Sequence, residues 1–211
     1  MAIYVTSDAH GHVRALDEAL SKISLASDDM LYVLGDMIDR GPDPVGVIKL
    51  VRSLPNARVL KGNHEQIMLD AIIGQDPLDA ETWDINGGWT TRQQLNDMEF
   101  EAYEELVRWM ATLPLYAVAE TDERPYLLLH AGIQTEAARA FLLEHGVDCA
   151  DGAGAVDADR ELLKQMLAVQ SSDDLLWIRH GYWDAPTGLL SAEGKGPVVV
   201  SGHTPTVSLG R

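Results

Sequence analysis

Polar residues in this sequence accumulate where short apolar runs stop. Ala2 to Ser7 runs into Asp8-Ala9-His10-Gly11, and Met30 to Leu34 into Gly35-Asp36-Met37-Ile38-Asp39-Arg40-Gly41. Arg58 to Leu60 is followed by Gly62-Asn63-His64-Glu65, Tyr126 to Leu129 by His130-Ala131-Gly132, and Val198 to Val200 by Gly202-His203-Thr204. Asp8, His10, Asp36, Asn63, His130 and His203 together offer carboxylate oxygens, an amide oxygen and imidazole nitrogens. Such a mixed set suits Mn, Fe or Zn and is too large for one tetrahedral ion. A carboxylate shared between two ions is the economical arrangement. The neighbouring glycines let the backbone turn sharply and approach the ions.

The runs before these residues predict the elements that position them. After the first run, Val13, Leu16, Leu20 and Ile23 recur at helical spacing; after Pro42 and Pro44, so do Val45, Ile48 and Val51. Ile67, Leu69 and Ile72 mark a third helix. Strand, helix, strand, helix, strand is the pattern of βαβ units on a parallel sheet, whose strand carboxyl ends bind ligands. The middle of the chain reads as mostly helical. Phe100, Tyr103, Leu106, Val107 and Met110 share one face of a helix that ends before Leu113-Pro114. Helices are also expected over Glu136 to Glu144 and Arg160 to Val169, separated by a flexible Asp151-Gly152-Ala153-Gly154 loop. No repeat, low-complexity tract or shift in composition marks a boundary, so residues 1–211 are expected to form a single domain.

Composition narrows the function. The 211 residues are 46% hydrophobic and 23% charged, a globular balance. A net charge of −17 repels phosphate backbones and anionic lipid, which excludes a nucleic-acid groove binder or a membrane-surface protein. One cysteine, Cys149, closes no internal disulfide and points to a reducing compartment. No apolar run approaches the roughly 20 residues that span a bilayer. The opening residues Met-Ala-Ile-Tyr-Val-Thr-Ser-Asp lack the basic and apolar regions of a secretory signal. A cytoplasmic protein, monomeric and without membrane or nucleic-acid partners, is the expectation.

The five polar blocks, in their order, resemble the phosphoprotein phosphatase family within the calcineurin-like metallophosphoesterases. Its pattern is Gly-Asp-x-His-Gly, Gly-Asp-x-x-Asp-Arg-Gly, Gly-Asn-His-Glu, a His-Ala-Gly type block, and Gly-His-Thr. The spacing and small size look most like the bacterial and phage branch, which includes lambda-type serine/threonine protein phosphatases and symmetrical diadenosine tetraphosphatases. The resemblance implies an α/β fold, a β-sandwich flanked by helices, with the site at one edge of the sheets. It also implies two divalent ions, Mn2+ first, with Fe, Zn or Ni as alternatives. Asp8, His10 and Asp36 would hold one ion, and Asp36 would bridge to a second completed by Asn63, His130 and His203. Arg40 matches the arginine that grips phosphate oxygens, His64 the general acid and Asp39 the carboxylate that orients it. Arg179, in Leu176-Trp177-Ile178-Arg179, is the candidate for a second phosphate-binding arginine.

Two cations lower the pKa of a bridging water and clamp phosphoryl oxygens, while arginine forks stabilise the developing negative charge. An alkoxide leaves poorly, so a proton from His64 matters. Cys149 fits no nucleophile motif, and direct hydrolysis is expected. The substrate implied is a phosphoprotein or small phosphoester, with phosphoserine and phosphothreonine leading. Diadenosine tetraphosphate is the first rival, and an inactive binding module with the same fold the second.

The plainer reading of Asp36 or Asp39 is a cap for the helix after Pro42, and that of Arg40 a surface arginine. His12 and His180 read as rim or loop histidines, and His145 as a C-terminal helix cap. Trp83, Trp89 and Trp109 read as packing residues, and Asn86-Gly87-Gly88 as either a cleft glycine pair or a plain turn. The first block departs from the family in carrying Ser7 before Asp8, with little harm expected. Eight residues follow His203, where relatives continue with further strands. An abbreviated C-terminal end, with weaker metal binding at the His203 site, is therefore expected.

Overall fold

In a computed structural model of the chain, the described residues are 1–74, 76–149, 153–179, 182 and 186–205. The chain divides into two compact units, Met1–Pro114 and Leu115–Arg211. The first unit shows the expected alternation. Strand β1 (Ile3–Thr6) leads to helix α1 (Val13–Ile23), β2 (Met30–Val33) to α2 (Pro44–Ser53), and β3 (Ala57–Val59) to α3 (Asn63–Ile73). The strands pair in parallel in the order β1-β2-β3, with Ile3 opposite Met30 and Leu31 opposite Ala57. Parallel pairing needs a crossover between strands and puts all three carboxyl ends on one edge. Leu31, Val33, Ile48, Val51, Met68 and Met110 are almost fully buried in one core.

Helix α2 starts at Pro44, whose fixed φ suits the first helical turn, and Asp43 caps it by accepting the Gly46 N–H at 2.9 Å. Neither Asp36 nor Asp39 is this cap. Helices α4 (Pro77–Ile85) and α5 (Trp89–Asn96) are joined by the Asn86-Gly87-Gly88 turn, and α6 (Phe100–Ala111) completes the unit. Leu106 and Met110 of α6 face the core, whereas Phe100, its first residue, is exposed.

In the second unit β4 (Tyr116–Glu120) and β5 (Pro125–Leu129) form an antiparallel hairpin, and β6 (Val198–Val200) pairs in parallel with β5. Helices α7 (Thr135–Glu144), α8 (Arg160–Ala168) and α9 (Ser172–Trp177) lie between β5 and β6 in the chain. Leu127, Leu129, Ile133, Leu142, Leu163, Met166 and Leu167 build a separate core. His145 caps α7 as expected: its Nδ1 lies 2.8 Å from the Phe141 carbonyl. Asp151, Gly152 and His180 lie outside the described residues. The α/β class holds, with two three-stranded sheets among the described residues. No helix among the described residues is long and apolar enough to cross a membrane.

Candidate metal and phosphate site

In the first unit the three loops at the carboxyl edge of the sheet carry seven of the candidate residues. Asp8 and His10 follow β1; Asp36, Asp39 and Arg40 follow β2; Asn63 and His64 open α3 directly after β3. The backbone there is strained. Asp8, His10, Asp36, Asp39 and Arg40 all have φ between 40° and 69°, a region that non-glycine residues rarely occupy. Elsewhere among the described non-glycine residues only Ser24, a helix C-cap, and His203 share it. Strain gathered at candidate ligands, and nowhere else except a helix end, is the distribution expected of a functional site.

Glu65, to which the sequence assigned no role, holds these loops together. Fully buried, it accepts the backbone N–H groups of Asp36 (2.8 Å), Met37 (2.8 Å) and Gly62 (2.9 Å). Its place at the third position of α3 was the legible signal, since a glutamate there reaches back to the helix cap. Gly35 (φ +86°) allows the close approach: a Cβ on it would overlap the Gly62 backbone. Gly35→Ala should therefore lower the unfolding free energy by about 2–4 kcal/mol, read from the urea midpoint at unchanged slope.

Asp36 is the centre of the group. Its Oδ1 accepts the His64 backbone N–H at 3.0 Å, and its Oδ2 lies 3.5 Å from His10 Nε2 and 3.9 Å from His64 Nε2. One ligand atom from each of the three lies within 4.8 Å of the others. Burial, and then the Glu65 carboxylate, push the Asp36 carboxyl well above its usual range. Burial likewise pushes His10 down to about 4, which keeps its imidazole neutral. His10 Nδ1 lies 2.9 Å from the Ile38 carbonyl, so it carries the proton and Nε2 keeps a lone pair facing Asp36. A buried carboxylate beside a neutral, oriented imidazole offers oxygen and nitrogen donors together, and these residues fit a divalent metal.

His64 and Asp39 form a wholly buried pair, with Nδ1 2.7 Å from Oδ2. Trp83 and Thr91 also bond to Asp39. The Trp83 indole N–H reaches both carboxylate oxygens at 3.1 and 3.2 Å, and the Thr91 hydroxyl donates to Oδ1 at 2.6 Å. Sequence reasoning gave Trp83 a packing role and Thr91 none. Trp89, read as a packing residue, is instead 62% exposed. Arg40 Nη1 lies 3.0 Å from His10 Nε2, and its Nη2 lies 2.7 Å from His64 Nε2. Because a guanidinium only donates, both Nε2 atoms accept in this arrangement. A metal ligated by His10 Nε2 would need the same lone pair, so metal binding requires Arg40 to leave it.

In the second unit His130 follows β5 and His203 follows β6, and the two strands pair directly. Both histidines are buried, with His130 Nε2 3.1 Å from His203 Nδ1 and the rings edge to face. The Gly202 N–H donates to the His130 carbonyl at 2.8 Å and fixes the spacing of the two turns. Arg179 is exposed, two residues past the end of α9.

The chain matches the calcineurin-like phosphoesterase family over residues 1–209. It is 32% identical over 136 residues to a protein named bis(5'-nucleosyl)-tetraphosphatase, symmetrical, of Erwinia tasmaniensis, covering 63% of this chain and 45% of that one. It is 33% identical over 131 residues to serine/threonine-protein phosphatase 2 of Escherichia coli, covering 61% and 57%. The chain thus spans about half the length of the curated relatives it matches. A solved protein serine/threonine phosphatase from Saccharomyces cerevisiae superimposes with a TM-score of 0.51 at 19% identity, over 83% of this chain and 48% of that one, a likeness of fold alone. With nearly its whole length matched, and with the ligand-rich loops at the strand ends, the chain belongs to the calcineurin-like phosphoesterase family.

Proposed function

We propose that the chain hydrolyses phosphoric ester bonds with the help of two divalent cations. The observation that carries this reading is the buried His64–Asp39 pair set against Asp36 and His10. Nothing in a purely structural role asks for a histidine aimed by one buried carboxylate toward another. The division of ligands follows the family resemblance: Asp8, His10 and Asp36 for one ion, and Asp36, Asn63, His130 and His203 for the other. When bound, the cations would lower the pKa of a water to supply the nucleophile and would neutralise phosphoryl oxygens. Their mixed oxygen and nitrogen donors suit Mn2+, Fe or Zn, and Mn2+ is proposed first on the family resemblance.

The chain's own residues do the rest. Arg40, released from the two imidazoles, offers its planar fork to phosphate oxygens, and exposed Arg179 is the candidate for a second grip. Once Arg40 has left it, His64 Nε2 is free to take a proton from water, and His64, held through Nδ1 by Asp39, passes that proton to the leaving oxygen. A single cysteine supports a reducing, cytoplasmic setting, and a monomer is the proposed state.

Phosphoserine and phosphothreonine are the proposed substrates. Diadenosine tetraphosphate is the second reading, favoured by the names of several relatives. One panel decides between them. With Mn2+ added, the chain should turn over para-nitrophenyl phosphate and release phosphate from a phosphopeptide faster than ADP from the dinucleotide. The reverse preference would establish the second reading. Absence of all turnover in a folded, metal-loaded chain would leave only a binding module.

A further inference from the structure

The α4–α5 segment touches the catalytic loop after β2 at each of its two working residues. The Gly87 carbonyl accepts the Arg40 backbone N–H at 3.0 Å, and a Cβ on Gly87 would press on the Arg40 side chain. Two residues of the flanking helices hold Asp39. Trp83, in α4, is 3% exposed and spends its only hydrogen-bond donor on the Asp39 carboxylate. Thr91, in α5, is wholly buried; its Oγ1 accepts the Asp39 backbone N–H at 2.9 Å, and its hydroxyl proton goes to Oδ1. Gly88 lies so close to the Trp83 indole that any Cβ there would overlap the ring, which seats the ring against the turn. The Arg92 guanidinium covers the same ring, with its carbon 4.9 Å from the centroid.

We propose that Trp83 and Thr91 are positioning residues for proton donation by His64. The role rests on the phosphoesterase reading above and deepens it. A carboxylate accepts only, and here each of its oxygens has defined donors: Thr91 and Trp83 at Oδ1, His64 and Trp83 at Oδ2. Asp39 is thereby fixed in place against His64. Rotation about the Asp39 side-chain bonds would break the bonds donated by both Trp83 and Thr91, so Oδ2 stays on Nδ1. The imidazole plane is then set, and Nε2 points where the leaving oxygen must sit. Preorganisation of this kind lowers the barrier to the proton transfer, not the affinity for the ester.

That distinction gives the test. Proton donation matters for an alkyl leaving group, which is a strong base, and much less for para-nitrophenolate, a stable anion. Initial rates with Mn2+ would be measured for both phosphate monoesters on the wild-type chain, Trp83→Phe, Thr91→Val and Thr91→Ser. Trp83→Phe and Thr91→Val should each lower kcat for the alkyl ester by about 10-fold, the size expected for one hydrogen bond to a charged group, with KM little changed. The ratio of para-nitrophenyl to alkyl rates should rise by a similar factor. Thr91→Ser, which keeps the hydroxyl, should restore most of the loss relative to Thr91→Val. Equal loss on the two esters, or a rise in KM at constant kcat, would overturn the positioning role while leaving the phosphoesterase reading intact. A wild-type chain that hydrolyses neither ester would overturn both. If Trp83→Phe does not fold, the Thr91 pair decides by the same ratio.

Discussion

Replacing His64 with asparagine should lower kcat for an alkyl phosphate monoester by about 10²–10⁴-fold, the range covered by general acid catalysis. Asparagine preserves polarity, and the bound metal should be unaffected. His64 sits at the second position of α3 with a wholly buried ring, and its backbone N–H already serves Asp36. The substitution keeps that backbone bond and removes only the ring. It also leaves the Asp39 carboxylate without its Nδ1 partner, so part of any stability change belongs to Asp39. Kinetics separate the two effects. Loss of the acid should fall on the ester with the basic leaving group, whereas a loosened fold would depress every substrate alike. For diadenosine tetraphosphate the leaving group is a nucleotide phosphate, a weak base, and the loss should be smallest. An alkyl ester rate unchanged by His64→Asn, with metal still bound, would remove His64 from the chemistry.

Much of the site was legible because its residues are local to strand ends. A run of apolar residues closely followed by Asp, Asn or His reads directly as a strand delivering a ligand, as Asp8 after β1, Asp36 after β2, Asn63 after β3 and His130 after β5 do. The missed parts depend on contacts distant in sequence. Thr91 lies 52 residues from Asp39, and Trp83 lies 44 residues from it. Nothing local distinguishes a tryptophan that fills a core from one that also donates a hydrogen bond. Strand β4 was missed for another reason. Tyr116-Ala-Val-Ala-Glu has two alanines, weak strand formers, and shows no alternation of apolar and polar residues. Its partner β5 makes it a strand. Helix α9 has six residues, too few for periodicity to register, although Ser171 followed by Asp174 is a capping signal.

The metal-free chain carries a conflict at Asp36 that a second substitution exposes. Its carboxyl is buried, faces Glu65 and has its proton affinity raised well above the ordinary. A raised folded-state pKa means that the fold favours the protonated form. The metal-free chain therefore gains stability from this group as the pH falls, and loses it as the pH rises through the raised value. A divalent cation reverses the balance by pairing with the ionised form, so Mn2+ should raise the Tm most at pH 7–8 and progressively less toward acid, where protons compete for the same oxygen. Asp36→Asn keeps an oxygen for the His64 N–H and removes the charge. At pH 8 without metal, this variant should unfold at the same temperature as the wild type or higher. With Mn2+ it should show little of the wild-type rise in Tm, and its phosphatase rate should fall by at least about 10³-fold, because a group acting through bound metal is lost together with the metal. Calorimetry with and without Mn2+, paired with elemental analysis, reads both halves. A variant destabilised without metal yet still binding two ions would mean that Asp36 supports the fold and is no ligand; one more stable but metal-free would show a carboxylate kept for chemistry at a cost to the fold.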